Sequence, residues 1–432
     1  LAVPVRNVSA PGFAEELHLE TDRRALVVSA ALLFVVGFVT RINNILVPRI
    51  FEHSRTQAEF AQLAFFSAYL VFSYPGGLLV ERTGYKRAMV LGLGVMAMGA
   101  VGFILAAELA LFPVFLAALV VLGAGMAVVQ VAVNPYVTVM GHAATAPARL
   151  NFVQGFNAAG MFLGPLLGAF LLTGNHTPTA AGFAAHTAPL PYLALALLLL
   201  FAAIALAATR LRPRDSIAER TQDFRPGAFA EALAGPGKLM DHPWLLAATL
   251  GIFLYVGAEV TLGSLLADNA LAQAAGLTAE QAARGLLLYW GGAMLGRFAG
   301  AALLARVRPG RLLAFAGGLA IVLLGLATAN QGELAWLVLP AAGLCNSIMF
   351  PTLFALGVQD LGPLTSKGSR LMIMAIVGGA AVPYLTTALA GAIGMRGALL
   401  APVLCYFYVA AFGVAALRRA PGSDALLPPE NL

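Results

Sequence analysis

Apolar positions run through this chain in long unbroken stretches rather than in short alternations. Leu193–Ala208, for instance, is apolar on every face. About 20 apolar residues in a row span the roughly 30 Å hydrocarbon core of a bilayer. Only helices and closed barrels satisfy their backbone groups there. Barrel strands would alternate with polar lumen positions over about ten residues, and these stretches do not. The pattern therefore predicts transmembrane helices over 25–49, 59–81, 87–107, 111–140, 149–173 and 189–210, then 243–269, 283–305, 309–329, 332–357, 368–393 and 396–417. The longest polar stretch, Leu211–Asp241, separates the sixth span from the seventh. It is rich in charge, Pro and Gly and reads as a linker. The expected organisation is a 1–24 amino-terminal segment, a 25–210 six-helix bundle, a 211–242 linker, a 243–417 six-helix bundle and a 418–432 tail. The fold class is an all-α membrane protein of 12 transmembrane helices in two pseudo-symmetric bundles.

The two halves resemble each other at matched places. Gln130-Val-Ala-Val-Asn134-Pro135 ends in Gly141, and Asn346-Ser-Ile-Met-Phe350-Pro351 ends in Gly357. Aligning the prolines aligns the glycines and sets Gln130 opposite Asn346. Spans five and eleven then both open on Arg-Leu, at Arg149 and Arg370. The common offset points to a duplicated six-helix unit, and parallel repeats with the solute site between them are one transporter plan.

Composition and charge sharpen this picture. Apolar residues make up 60% of the chain and charged residues 11%, against about 25% charged in a soluble domain. The net charge of +6 raises the question of nucleic acid, but the distribution answers it. With the amino terminus in the cytoplasm, twenty Lys and Arg fall on inner segments and four on outer ones. That is the positive-inside rule. It predicts both termini in the cytoplasm, a multi-pass protein of an inner or plasma membrane in contact with the lipid bilayer, and no nucleic-acid partner. The polar first 24 residues read as a cytoplasmic segment rather than a cleavable signal. Cys345 and Cys405 fall inside apolar spans and read as packing residues.

Polar residues inside spans are costly, about 2.5–3.5 kcal/mol for a charge at mid-helix, so function is sought there. Glu259, near the middle of span seven, is the acid deep in a span, while Asp268 lies near that helix's outer end. Arg41 sits in the outer half of span one. Arg297 sits toward the inner end of span eight, from where it is expected to snorkel to the interface. Amides cluster at corresponding depths: Asn43 and Asn44, Gln130 and Asn134, Asn151, Gln154 and Asn157, and Asn346. A single amide is equally explained by an interhelical hydrogen bond, worth about 0.6 kcal/mol on average. Amides on several helices of one half, beside the aromatic face of Phe65, Phe66 and Tyr69, predict a polar cavity. Amides both donate and accept, which suits a solute covered in hydroxyl groups.

Against an enzyme stands the placement of all six His in loops or near span ends. The chain has no His-Glu-x-x-His, paired intramembrane acids or thiol cluster to hold a metal or do carboxylate chemistry. Other transporter substrates, such as a drug-like organic solute, and a non-transporting sensor of the same fold remain as alternative readings.

The loop after span two reads Gly77-Leu-Leu-Val-Glu81-Arg82-Thr-Gly84-Tyr-Lys86-Arg87. This resembles the signature between the second and third helices of the major facilitator superfamily. Asn43-Asn44-Ile-Leu-Val-Pro48, Gln130 to Val137, Arg149 to Asn157, Tyr255 to Glu259 and Phe350 to Phe354 resemble its fucose:proton symporter branch, and within it the bacterial glucose/galactose type. The resemblance runs from about residue 30 to 415. It implies monosaccharide transport by alternating access, with Asn43, Gln130, Gln154, Asn157 and Asn346 along the sugar path and Glu81 and Arg82 at a cytoplasmic gate. It also implies a single chain sufficient for the task, and no cofactor beyond a coupling ion, proton or sodium.

The chain departs from that pattern in three places. Asn44 stands where the family has an acid tied to proton coupling, and an amide cannot titrate. Arg41 and Arg370 stand where the family has small or uncharged residues. Two accounts follow. Either coupling is lost, and Glu259 serves as a sugar hydrogen-bond acceptor or cation ligand, or Glu259 is itself the proton carrier.

Overall fold

The structure, a computed structural model, describes residues 21–50, 55–173, 189–211, 239–267, 276–329 and 338–419. The first half contains α1 (Arg23–Ile50), α2 (Arg55–Thr83), α3 (Tyr85–Leu109), α4 (Phe112–Val139), α5 (Ala146–Thr173) and α6 (Pro189–Ala208). The second contains α7 (Pro243–Ala267), α8 (Ala279–Leu304), α9 (Pro309–Ala329), α10 (Ala342–Asn346), α11 (Met349–Val358), α12 (Thr365–Met374), α13 (Gly378–Ala398) and α14 (Leu400–Arg418). The pair α10–α11 makes one span and α12–α13 another, so the helices form twelve spans. Of these, 11 contain a described stretch long and apolar enough to cross a membrane. The exception is α5, whose described part carries Arg149, Asn151, Gln154 and Asn157. Most of the expected segment 1–24, most of the 211–242 linker and most of the 418–432 tail lie outside the described residues.

Tenth and eleventh spans expected as continuous helices are broken. In the tenth, Pro351 has no N–H to give the carbonyl of Ser347, and beside it the Ser347 hydroxyl donates to the Leu344 carbonyl at 2.6 Å. The helix ends at Asn346 and resumes at Met349. In the eleventh, a 3₁₀ turn over Ala375–Val377 joins α12 to α13, and Gly394 interrupts α13 with φ 78°.

Within each half, helices meet where glycine removes a side chain. Gly160 of α5 lies against the Phe34 carbonyl of α1, and Gly37 of α1 lies against the Asn157 carbonyl of α5. The second half repeats this between α7 and α13: Gly378 lies against the Phe253 carbonyl, and Gly257 against Val382 and the Gly378 carbonyl. Phe34 and Phe253, Gly37 and Gly257, and Gly160 and Gly378 are each separated by 218 to 220 positions. The duplication thus extends to the packing itself. Large apolar side chains such as Leu197, Phe201, Ile204, Met98 and Val101 cover the outside, as lipid contact requires.

The halves meet along two seams. In one, α5 packs on α8 and α11; in the other, α2 packs on α12 and α13. Phe298 of α8 fits edge-on between Phe152 and Phe156 of α5, its ring centre 5.3 Å from that of Phe156. At the end of the molecule bearing the α2–α3 loop, Glu81 of α2 forms an ion pair with Arg370 of α12. Arg370 is 1% exposed, and Gly77, one turn before Glu81, leaves room for it to lie along α2. Arg149, the equivalent of Arg370 in the repeat, bonds within its own half. It donates to the carbonyls of Val137, Thr138 and His142 and so closes the carboxyl end of α4. Gly84 turns the chain from α2 into α3 at φ 81°, a conformation that glycine adopts without strain.

Replacing Gly160 or Gly378 with Val should lower the melting temperature in detergent by several degrees, since forcing a side chain against a backbone carbonyl costs about 1–3 kcal/mol. Gly94→Ala and Gly318→Ala, where an added Cβ meets nothing within 4 Å, should leave it unchanged or slightly raised. Equal sensitivity at all four positions in a thermal-shift assay would contradict this packing.

Candidate functional site

A cavity of about 490 Å³ lies between the halves, within the roughly 300–1,000 Å³ usual for small-molecule sites. The first half supplies Thr40 and Arg41 from α1, Gln62, Phe65, Phe66 and Tyr69 from α2, Gln130 from α4, and Gln154 and Asn157 from α5. The second supplies Tyr255, Glu259 and Ser264 from α7, Trp290 and Arg297 from α8, Phe350 from α11, and Ile376. On α2 the walls end twelve residues short of Glu81, about 18 Å along a helix at 1.5 Å per residue. The Glu81–Arg370 pair therefore closes one end at a distance from the cavity. Toward the other end, Gln62 Nε2 donates to the Gly379 carbonyl of α13 at 2.7 Å.

Amides form an ordered chain on the first-half wall. Gln154 Nε2 donates to Asn134 Oδ1 at 2.9 Å, and Asn134 Nδ2 donates to Gln130 Oε1 at 2.8 Å. Residues four apart on α4 share a face, so Asn134 sits where both glutamines reach it. The chain fixes both glutamine rotamers. It leaves the Gln130 N–H groups and the Gln154 amide oxygen without a protein partner among the described residues, and both glutamines face the cavity. Asn157 also lines it while tying α5 to α1 through the Leu33 carbonyl, at 2.9 Å.

The second-half wall is built around the break in the tenth span. The carbonyl of Ser347 released by Pro351 accepts from Arg297 Nε at 3.2 Å, and the Asn346 carbonyl accepts from the Tyr255 hydroxyl at 3.0 Å. Arg297 Nη1 reaches across the seam to the Gln154 carbonyl at 3.3 Å, and Nη2 lies 3.8 Å from Glu259 Oε1. The Tyr289 hydroxyl donates to the Glu259 backbone carbonyl at 2.9 Å and accepts from Asn346 Nδ2 at 2.8 Å. Arg41 places its guanidinium 3.7 Å from the centre of the Trp290 ring.

Of the residues expected from sequence, Gln130, Gln154, Asn157, Glu259 and Arg41 are brought to one cavity, with the aromatic face of α2 opposite. Asn134 and Asn346 are not on its surface. Both are fully buried and act from behind the wall: Asn134 holds the glutamines, while the Asn346 carbonyl holds Tyr255 and its Nδ2 donates to the buried Tyr289. Glu81 is at the loop end and Arg82 is exposed there. Asn43 and Asn44 fall in the last turns of α1, where side chains lie outside the described residues. Arg297 corrects an expectation: it does not snorkel to an interface but is buried at 8% exposure in the cavity floor, spending its donors on carbonyls of both halves. Sequence reading also missed Tyr255 and Trp290. Tyr255 is one turn from Glu259, and Trp290 two turns from Arg297, so each shares a face with a charge already singled out. Among the described residues no group of His, Cys, Asp and Glu is arranged to hold a metal.

Arg297→Met should destabilise the protein by about 3 kcal/mol, because it strands a buried carboxylate and a released carbonyl. Adding Glu259→Gln to that variant should recover part of the loss. Additive losses in thermal unfolding of the two single variants and the double would show that the groups do not interact.

The model of the Major Facilitator Superfamily matches residues 29–365. The glucose/galactose transporter of Brucella abortus biovar 1 (strain 9-941) is 42% identical over 409 residues, covering 92% of this chain and 96% of its own length. The L-fucose-proton symporter of Escherichia coli (strain K12) is 29% identical over 405 residues, covering 88% and 90%. A crystal structure of the transporter FucP in the outward conformation superposes with a TM-score of 0.78 at 27% identity, over 90% of this chain and 98% of that one. These matches, the twelve spans and the cavity between two like halves agree: the chain belongs to the major facilitator superfamily.

Proposed function

We propose that this protein carries a monosaccharide across a bacterial inner membrane by alternating access, its two halves rocking about the cavity, with both termini in the cytoplasm. It is a transporter and not an enzyme. The observation that carries the substrate class is the Gln154–Asn134–Gln130 chain, which presents donors and an acceptor at fixed positions opposite aromatic rings. A sugar offers hydroxyls to the first and its C–H faces to the second. The relatives named for glucose, galactose and fucose support the same reading. Gln130, Gln154, Asn157 and Glu259 are the proposed sugar contacts, with Asn43 and Asn44 at the outer end of α1, and Asn134 and Asn346 as their supports. Glu81 and Arg82 belong to the cytoplasmic gate. One chain holds the whole cavity, so a monomer suffices.

On coupling, the reading is facilitated passage without a proton, because Asn44 cannot titrate. Purified protein in liposomes, given labelled glucose, galactose and fucose with and without an inward proton gradient, tests it. Equilibration independent of the gradient is expected, and Asn44→Asp should convert it to gradient-driven accumulation. Accumulation by the parent would move the coupling role to Glu259. Absence of flux with folded protein would favour a different organic solute or a sensor. Gln154→Ala should lower sugar uptake about tenfold, since loss of one hydrogen bond to a buried polar partner is worth about 1–3 kcal/mol. Unchanged uptake in that variant would remove the amide chain from the path.

A further inference from the structure

Among the described residues, charge in the cavity does not balance. Its described walls carry two guanidinium groups, Arg41 and Arg297, and one carboxylate, Glu259. Arg297 is fully engaged: two carbonyls take its Nε and Nη1, and Glu259 lies 3.8 Å from its Nη2. Arg41 feels the same Glu259 carboxylate through space without bonding to it, and its direct contact is through its flat face, stacked 3.7 Å from the Trp290 ring centre. A cation–π contact of this kind is worth about 0.5–2 kcal/mol, which offsets only part of the cost of holding an arginine within a membrane span. Stacking also uses none of its five N–H donors, and no hydrogen-bond acceptor meets them among the described residues. One carboxylate already beside Arg297 cannot neutralise both cations. Among the described residues the cavity is left with one positive charge in excess and with an edge of planar donors unused.

We infer that the preferred cargo is an anionic sugar bearing one carboxylate, a hexuronate, with Arg41 as the residue that selects it. The inference rests on the monosaccharide reading above and narrows it. The charge of such a solute matches the excess of one. A carboxylate takes two parallel N–H bonds from a guanidinium, the geometry an arginine edge offers. The Trp290 ring holds the guanidinium plane, which pre-orders that edge. The ring hydroxyls then meet Gln130 and Gln154, which already present their free amide groups to the same space.

Binding and flux are measured separately. A full-length Trp244→Phe, Trp336→Phe variant leaves Trp290 as the one tryptophan, and its fluorescence reports binding of galacturonate and galactose in chloride-free sulfate buffer. Labelled forms of both sugars measure flux in liposomes. Galacturonate is expected to bind at least tenfold more tightly than galactose, equivalent to 1.4 kcal/mol. Arg41→Gln should bring that ratio close to one, and Arg41→Lys should keep part of it. Galactose flux with no preference for galacturonate overturns the inference and leaves the monosaccharide reading intact. Preferential galacturonate binding with no flux of either sugar supports the selectivity of the site and sinks the transport reading. Fluorescence that responds to chloride or inorganic phosphate as strongly as to galacturonate overturns the inference in favour of a small inorganic anion. No response to either sugar overturns both.

Discussion

Inside a bilayer every backbone carbonyl released from a helix must find another donor, and the centre of this protein is organised by that requirement. Pro351 releases the carbonyl of Ser347, and Arg297 takes it. The same guanidinium takes the Gln154 carbonyl from the other half, while Asn151 Nδ2 donates to the Arg297 carbonyl at 2.9 Å. A charge that would be expensive alone is thus held by backbone dipoles of both halves. Its plane is fixed by those two bonds, which leaves Glu259 beyond hydrogen-bond length from it. Any rocking of the halves has to exchange the Gln154 contact while keeping the Ser347 contact within one half.

Rigid halves and a soft seam follow from where the small residues lie. In the glycine contacts of α1 with α5 and of α7 with α13, Gly37, Gly160 and Gly378 each meet a backbone carbonyl of the facing helix directly, and Gly257 meets the stiff, β-branched Val382. Between the halves the contacts are of another kind: edge-on phenylalanines, an ion pair, and single hydrogen bonds such as that of Gln62. These can be exchanged one for another without repacking a core. The duplicated sequence placed its equivalent glycines within the halves, so both move as bodies of similar stiffness.

Most of the fold was legible from apolar run length, because the bilayer imposes that length. Gln130, Gln154 and Asn157 were legible because an amide in a span has to be accounted for. Asn134 and Asn346 were misplaced for a physical reason: in a helix apolar on all faces, periodicity does not say which polar side meets a cavity and which meets a neighbour. Arg297 was misread on the same ground, since snorkelling and burial differ only in what the adjacent helix offers, and that offer is the break at Ser347. The break itself left one clue, Pro351, whose missing donor identifies the carbonyl to be filled. Tyr255 and Trp290 were hidden because aromatic residues are common in spans and become informative only beside a charge.

The two ends of the cavity are fastened unequally, by an ion pair of the buried Arg370 with the partly exposed Glu81 at the loop end and by the Gln62 amide toward the other. A carrier with unequal latches spends unequal times presenting its cavity to the two compartments. Half-saturation and maximal velocity then differ between the two faces. For passage without a driving ion, detailed balance still forces their ratio to be the same in both directions. Asymmetry here is therefore a matter of dwell time, and a tighter latch at one end slows the return of the empty carrier without making the membrane a one-way valve.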